Sequence, residues 1–166
     1  MEKSRYNICP RLKKMLNDQL AHESYNAHLY LKISNILKVN GLDNLAKHFE
    51  GQFKEENSHQ KMVVNYFNDR NELVEVQATN AVTVNPNGII EIAEAYLAQE
   101  KLTTNKLKDI AQCAWEEKDM LTFKFLQDML QIQRVEEDEA TTFLDQANLT
   151  KGDGFAVLLW NQTFEV

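Results

Sequence analysis

Apolar residues recur along most of the chain at alternating steps of three and four positions, which is the spacing of a helix packed in a bundle. Four long segments have this pattern, at residues 11–39, 43–68, 86–114 and 120–146. A shorter apolar segment, residues 155–163, follows the helix-breaking Gly152-Asp153-Gly154 and predicts a C-terminal helix. The pattern therefore predicts an all-α chain of four long helices and one short helix.

The connections between these segments predict how the helices are joined. Those around Gly41 and residues 116–119 are short, so each should form an antiparallel helical hairpin. Residues 69–85, in contrast, have little helical character, and extended they reach up to ~60 Å, more than the ~40 Å length of the helices. The chain is therefore expected to form a four-helix bundle with one long crossover between the second and third helices.

The inward-facing positions of each long helix form a seam, and each seam carries a glutamate near its middle: Glu23, Glu56, Glu100 and Glu136. In the first hairpin Glu23 lies 18 residues before Gly41 and Glu56 lies 15 after it, a depth difference of roughly 4–5 Å. The corresponding difference for the second hairpin is about 3 Å. On the fourth helix the predicted seam is Phe125, Met129, Ile132, Glu136, Glu139 and Phe143.

Four carboxylates at one depth of an apolar core indicate a metal site. An isolated buried carboxylate is costly, and the four seams carry no lysine or arginine to neutralise these side chains. His59 follows Glu56 by one helical turn and adds an imidazole. Carboxylates with one imidazole suit iron or manganese better than structural zinc, and two divalent ions would balance four negative charges. The pattern predicts a centre for two metal ions.

Other polar residues near this centre have two interpretations each. Tyr30 is either a core aromatic residue or a hydrogen-bond donor to a ligand carboxylate. Gln133, one turn before Glu136, either contacts the site or is solvated. Glu55 and Glu139 are either accessory ligands or ordinary surface charges. The remaining histidines near the first-helix seam, His22 and His28, are expected at the surface.

Composition narrows the possible partners. A net charge of −7 argues against nucleic acid as a partner, and no apolar run approaches the ~18 residues that cross a membrane. The first residues lack the apolar core of a secretory signal, and two cysteines, Cys9 and Cys113, suit a reducing cytoplasm. We therefore expect a cytoplasmic protein with one domain, residues 1–166.

The chain resembles bacterial non-haem ferritins from about Leu12 to Trp160. The residues that carry the resemblance are Glu23 to Tyr30, Glu55-Glu56-Asn57-Ser58-His59, Glu100, and Gln133-Arg134-Val135-Glu136-Glu137. The resemblance implies that Glu23, Glu56 and His59 bind one iron. It also implies that Glu56 bridges to a second iron held by Glu100 and Glu136, with Gln133 beside it.

The resemblance further implies a ferroxidase that oxidises Fe(II) to Fe(III) with O2 or H2O2. Members of that family store the product as a ferric mineral inside a hollow shell of 24 subunits. The short C-terminal helix fits packing at a symmetry axis of such a shell, or packing on its own bundle. The expected partners are thus ferrous iron, the oxidant and further copies of the chain.

Four positions depart from related patterns. Bacterioferritins have a second Glu-x-x-His where this chain has Glu136 and Glu139, and a haem-binding methionine where it has Asn57, so no haem is expected. Ile132 and Val135 stand where acidic residues of a third iron site would be expected. Glu55 matches one residue of that site, and Glu139 is a hypothetical substitute.

Two other classes of function stay open at this point. A di-iron oxygenase or peroxidase would use the same bundle, although such oxygenases commonly carry the second Glu-x-x-His that is missing here. A non-enzymatic helical scaffold would leave the central glutamates in contact with solvent.

Overall fold

The computed structural model describes residues 7–166, a range that contains five helices and no strands. The helices are α1 (Pro10–Val39), α2 (Asp43–Asp69), α3 (Ile89–Glu116), α4 (Met120–Leu149) and α5 (Gly154–Thr163). The predicted fold class, an all-α bundle with a long crossover and a short last helix, is confirmed. Residues 1–6, on which the expectation about a secretory signal rests, lie outside the described residues. Within residues 7–166, no helix combines the length and apolarity needed to cross a bilayer.

Tight turns and side-chain caps define the ends of several helices. Gly41 has φ +78°, a conformation that favours glycine, and it lets the chain reverse between α1 and α2 within three residues. Asp119 begins α4 by accepting a hydrogen bond from the Thr122 amide, and Asp153 does the same for α5 from the Ala156 amide. The short turns make α1/α2 and α3/α4 antiparallel pairs.

Buried apolar side chains form two layers, one at each end of the bundle. The upper layer comprises Leu29, Tyr30, Ile33, Leu37, Leu45, Ala46, Phe49, Ile89, Ile92, Ala93, Tyr96, Leu97, Ala140, Phe143, Ala147 and Val157. The lower layer comprises Ile8, Leu12, Leu16, Leu20, Val63, Tyr66, Phe67, Leu107, Ile110, Ala111, Cys113, Ala114, Leu126 and Met129. The side chains between the two layers are largely polar.

The crossover, residues 70–88, runs along α1 from the lower layer to the upper layer. Val74 packs against the lower layer, and Val82 and Val84 pack against the upper one. Between them, the Glu75 amide donates a hydrogen bond to Asn17 Oδ1 at 2.9 Å. The crossover therefore returns the chain to the end where α2 began, so α2 and α3 are parallel.

The predicted seam of α4 is partly wrong. The side chains that α4 buries are Thr122, Leu126, Met129, Gln133, Glu136, Ala140, Phe143 and Ala147. Ile132 and Glu139, both predicted to face inward, are exposed, and Phe125 is half-buried against Tyr66. The predicted and the observed buried residues share Met129, Glu136 and Phe143, which are seven positions apart. At the other positions the buried residue lies one place later than predicted, at Leu126, Gln133 and Ala140. A rotation of α4 by part of a turn decides between them.

Helix α5 is fixed to the start of α2 by Asn161. Its Oδ1 atom accepts hydrogen bonds from the backbone N–H groups of Asn44 and Leu45 at 3.0 and 3.1 Å. Trp160 packs on Phe143, with ring centroids 5.0 Å apart. One face of α5 thus packs on its own bundle. The opposite face leaves Phe155, Leu158 and Leu159 exposed.

Candidate metal centre

The four central glutamates lie in the polar region between the two apolar layers, one on each long helix. Glu23 and Glu56 are 1% exposed, Glu100 is 0% exposed and Glu136 is 5% exposed. His59, on α2, is 7% exposed. This burial is the opposite of what a scaffold with solvated glutamates requires.

Glu23, Glu56 and His59 form a first ligand set. One ligand atom from each lies within 4.8 Å of the other two. The His59 Nδ1 atom is 3.5 Å from Glu56 Oε2 and 4.0 Å from Glu23 Oε2. Two carboxylates and one imidazole nitrogen therefore surround a common point, which suits a divalent cation.

Glu56, Glu100 and Glu136 form a second ligand set by the same 4.8 Å criterion. Glu56 belongs to both sets, so its carboxylate lies between two candidate ion positions. Within the second set, Glu136 Oε1 lies 3.1 Å from His59 Nε2. Glu136 Oε2 is buried and has no hydrogen-bond partner among residues 7–166, so this oxygen is available to bind a cation.

Neutral side chains donate hydrogen bonds to the carboxylates of both sets. Tyr30 donates to Glu100 Oε1, and Gln133 Nε2 donates to Glu100 Oε2 at 2.6 Å. Gln19 Nε2 donates to Glu23 Oε1 at the same distance. These contacts support the interpretation of Tyr30 and Gln133 as residues that hold a carboxylate in place, since each is buried and bonded to Glu100.

Two buried polar neighbours of the centre, Gln19 and Asn26, were missed at the level of sequence. Asn26 Nδ2 lies 3.5 Å from Glu23 Oε2 and 3.4 Å from Glu56 Oε2. Their spacing in the sequence could have identified them as neighbours of the centre, because residues three or four positions from Glu23 on α1 share its helical face. His22 was assigned wrongly to the surface. It is buried, with Nε2 2.7 Å from the Thr103 hydroxyl, whereas His28 is exposed as expected.

Burial and mutual repulsion shift the ionisation of the centre. Burial and the neighbouring Glu56 carboxylate raise the pKa of Glu23 well above its usual value. Burial also raises the pKa of Glu100 to about 7. Burial lowers the pKa of His59, but its hydrogen bonds to Glu136 and Glu56 outweigh this and raise that pKa to about 11. The cluster therefore favours bound positive charge, and protons and metal ions compete for it.

The two accessory candidates, Glu55 and Glu139, lie at the surface beside the centre. Both are exposed, and neither belongs to the two ligand sets. Burial raises the pKa of Glu55, and the charges of Glu136 and Glu139 raise it further, so these carboxylates influence one another. Ile132 and Val135, where the resemblance leads one to expect acidic residues, are exposed.

The space beside the first ligand set is narrow. The gap lined by Glu23, His59, Leu107, Met129, Ile132 and Gln133 does not admit a water molecule. An organic substrate would need a much larger opening next to the metal ions. As it stands, this gap is too small for an organic substrate to reach the ligand set through it.

Comparisons with known proteins agree with the fold and with the family that the sequence resembles. The family model described as a ferritin-like domain matches residues 13–150. A probable bacterial non-heme ferritin-like protein of Haemophilus influenzae is 32% identical over 146 residues, covering 88% of both chains. A bacterial non-heme ferritin of Staphylococcus aureus is 30% identical over 155 residues, covering 93% of both. The solved open pore ferritin of Archaeoglobus fulgidus superposes with a TM-score of 0.91 at 24% identity, covering 95% of this chain and 96% of that one, which supports the fold.

Proposed function

The chain belongs to the ferritin family, and on that premise we propose that it stores iron after oxidising it. In this proposal Fe(II) is the substrate of the candidate metal centre, O2 or H2O2 is the oxidant, and the Fe(III) product is kept as a mineral inside a shell of identical subunits. The observation that carries the proposal is the pair of buried ligand sets joined through Glu56.

Each side chain of the centre has a separate role in this proposal. Glu23, Glu56 and His59 bind the first Fe(II), and Glu56, Glu100 and Glu136 bind the second. His59 coordinates through Nδ1, so its Nε2–H donates to Glu136 Oε1, 3.1 Å away. That hydrogen bond leaves the unpartnered Glu136 Oε2 to bind the second ion. A histidine oriented by a carboxylate in this way is common at metal sites.

The redox step requires two electrons. Each ligand set holds one Fe(II), and each Fe(II) provides one electron. Two Fe(II) ions lose one electron each and, with two protons, reduce O2 to H2O2 or H2O2 to two molecules of water. Because carboxylates are hard, anionic ligands, they stabilise Fe(III) relative to Fe(II) and favour this oxidation. Tyr30 and Gln133 hold the Glu100 carboxylate through hydrogen bonds to its two oxygens.

Self-association of the chain is supported by its apolar surface as well as by its family. The outer face of α5 exposes Phe155, Leu158 and Leu159, at 76%, 44% and 50%. Contiguous exposed apolar side chains of this kind are typical of protein–protein contacts. A shell of 24 copies of this 19.3 kDa chain would have a mass of roughly 460 kDa.

Replacing Glu56 tests the oxidation centre. Glu56→Ala removes the carboxylate shared by both ligand sets, and we expect Fe(II) oxidation at least roughly 100-fold slower than in the wild type. The rate is measured by stopped-flow absorbance of Fe(III). Glu50→Ala changes an exposed glutamate of the same helix and should retain the wild-type rate.

Analytical ultracentrifugation tests storage separately. The wild-type protein should sediment as a large shell and should retain ferric mineral after aerobic loading. A monomer that retains no iron would exclude the storage function, and wild-type oxidation by Glu56→Ala would exclude this centre.

A further inference from the structure

Asn26 is a fully buried residue whose amide spans the first ligand set. It lies on α1 one turn after Glu23, and its Nδ2 atom is 3.5 Å from Glu23 Oε2 and 3.4 Å from Glu56 Oε2. These are the same two oxygens that face His59 Nδ1. One amide group thus contacts carboxylates from two different helices at the point where the first ion would bind.

Gln99, on α3, fixes the direction of this amide. Its Nε2 atom donates to Asn26 Oδ1 at 2.6 Å. When a cation is bound, both carboxylates are ionised and only accept hydrogen bonds, so the amide nitrogen of Asn26 has to face Glu23 and Glu56. A flipped amide would set Oδ1 against these oxygens and Nδ2 against the Gln99 amine. Asn26 therefore faces the first ligand set as a donor and not as a ligand.

Thr103, also on α3, extends the same set of contacts. Its hydroxyl donates to the Gln99 backbone carbonyl at 3.1 Å, so its oxygen is an acceptor for Asn26 Nδ2, 3.1 Å away. Side chains of α3 therefore hold Asn26 at both its amide oxygen and its amide nitrogen. The contacts are made inside the bundle, where water does not compete with them.

We propose that Asn26 is a positioning residue for the first metal ion, which holds the Glu23 and Glu56 carboxylates toward His59 Nδ1. This inference rests on the proposed function, because it assumes that the first ligand set binds a cation. Without the amide, Glu23 would keep the hydrogen bond from Gln19 to its other oxygen, but the Oε2 atoms of Glu23 and Glu56 would each lose a donor. Pre-orientation of ligands by hydrogen bonds of this type commonly contributes 10–100-fold to metal affinity.

The effect should be larger on the first ion than on the second, because Asn26 contacts two ligands of the first ion and only the shared Glu56 of the second. The amide contacts of Asn26 are with Glu23 and Glu56, whereas Glu100 is held by Tyr30 and Gln133. Loss of the amide should therefore weaken binding of the first ion more than binding of the second. A merely structural defect in the bundle would weaken both ions together.

The experiment is a titration of the metal-free assembled protein with Co(II), followed by visible absorption, together with steady-state oxidation of Fe(II). In Asn26→Ala we expect the first Co(II) to bind roughly tenfold more weakly or worse, and the second to be weakened less. The KM for Fe(II) should rise more than kcat falls. Asn26→Leu, which keeps most of the side-chain volume, should behave in the same way.

Two further variants serve as controls. Asn57→Ala changes an exposed asparagine next to Glu56 whose side chain bonds to its own helix at Phe53, and it should bind Co(II) like the wild type. Gln99→Ala should weaken the first ion, and adding it to Asn26→Ala should cause little further loss, because Gln99 acts through Asn26.

The outcomes separate this inference from the proposed function. If the wild type binds Co(II) and oxidises Fe(II) but Asn26→Ala and Asn26→Leu match it, Asn26 has no positioning role. Equal weakening of both ions in these variants would also overturn the inference. A wild type that binds no Co(II) and oxidises no Fe(II) would overturn the proposed function and the inference together.

Discussion

The upper apolar layer and the polar region below it are buried to the same extent but have opposite effects on stability. In the upper layer, Phe49, Tyr96 and Phe143 pack with ring centroids 5.1–5.9 Å apart, in contacts that are favourable as they stand. In the polar region, Glu23, Glu56 and Glu100 are just as inaccessible to water. Burying these carboxylates is unfavourable until positive charge is bound.

The apolar layers and the polar region therefore have different roles within one bundle. The apolar layers stabilise the fold, and because they surround the centre they also determine where the ligand side chains can lie. In the proposed function, the polar region lowers the stability of the metal-free protein and provides the site that binds cations. Sites that require strained or unfavourable burial commonly reduce stability in this way.

The largest expected effect on stability comes from the upper layer. Phe49→Ala removes a ring that contacts Tyr30, Tyr96 and Phe143, and it should lower the free energy of unfolding by about 3–5 kcal/mol. The loss should be similar with and without bound metal, because Phe49 is not a ligand. Unfolding by guanidinium chloride, monitored by circular dichroism, measures it.

Glu23→Gln is the matching change in the polar region. Burial and Glu56 raise the pKa of Glu23, which disfavours folding near pH 7, whereas an amide does not ionise. The metal-free variant should therefore be more stable by on the order of 1 kcal/mol, while stabilisation by bound Co(II) should decrease. If the metal-free variant were less stable than the wild type, the polar region would not be unfavourable and the contrast drawn here would fail.

Metal binding should depend strongly on pH. Burial raises the pKa of Glu100 to about 7, and hydrogen bonds to Glu136 and Glu56 overcome burial to raise that of His59 to about 11. A cation has to displace these protons, so affinity should fall as the pH decreases from about 8 to 6, by roughly tenfold per pH unit for each proton displaced.

Calorimetry in buffers of different ionisation enthalpy measures the number of protons released when Co(II) binds. The wild type should release at least one proton at pH 7. Binding without proton release, or affinity that is constant over this pH range, would contradict the ionisation of the centre described here.

The smallest effect is expected at the surface acidic residues. We propose that Glu55 and Glu139 form a weak accessory iron site, and Glu139→Ala should lower the iron bound per subunit while leaving the initial oxidation rate within about twofold of the wild type. Iron is counted by elemental analysis after anaerobic loading and desalting. An unchanged iron content would rule out the accessory site.

Much of the fold followed from local patterns. Three-four periodicity predicted each long helix to within a few residues, and the long segment with little helical character predicted the crossover. The resemblance to bacterial non-haem ferritins was confirmed by comparison with known proteins. The third helix begins at Ile89 and not at residue 86, because Gly88 has φ +93° and ends the crossover in a non-helical conformation.

Other features could not be predicted from one segment at a time. The periodicity predicted that Ile132 faces the core and left Gln133 either in contact with the metal site or solvated. In the structure α4 is rotated so that Gln133 is buried and Ile132 is exposed. His22 looked like a surface residue because its partner, Thr103, is 81 positions away in the chain. In each case, a contact with another helix determines whether the residue is buried or exposed.

The sequence by itself determined that four helices form and that each brings a carboxylate to mid-bundle, because periodicity and distance from a turn are local properties. Only the tertiary structure decided how each helix is rotated about its axis. That rotation determines which amides, such as those of Asn26 and Gln99, face the carboxylates. Neighbouring positions on a helix differ by about 100°, so the side that is buried depends on the surface of the helix packed against it.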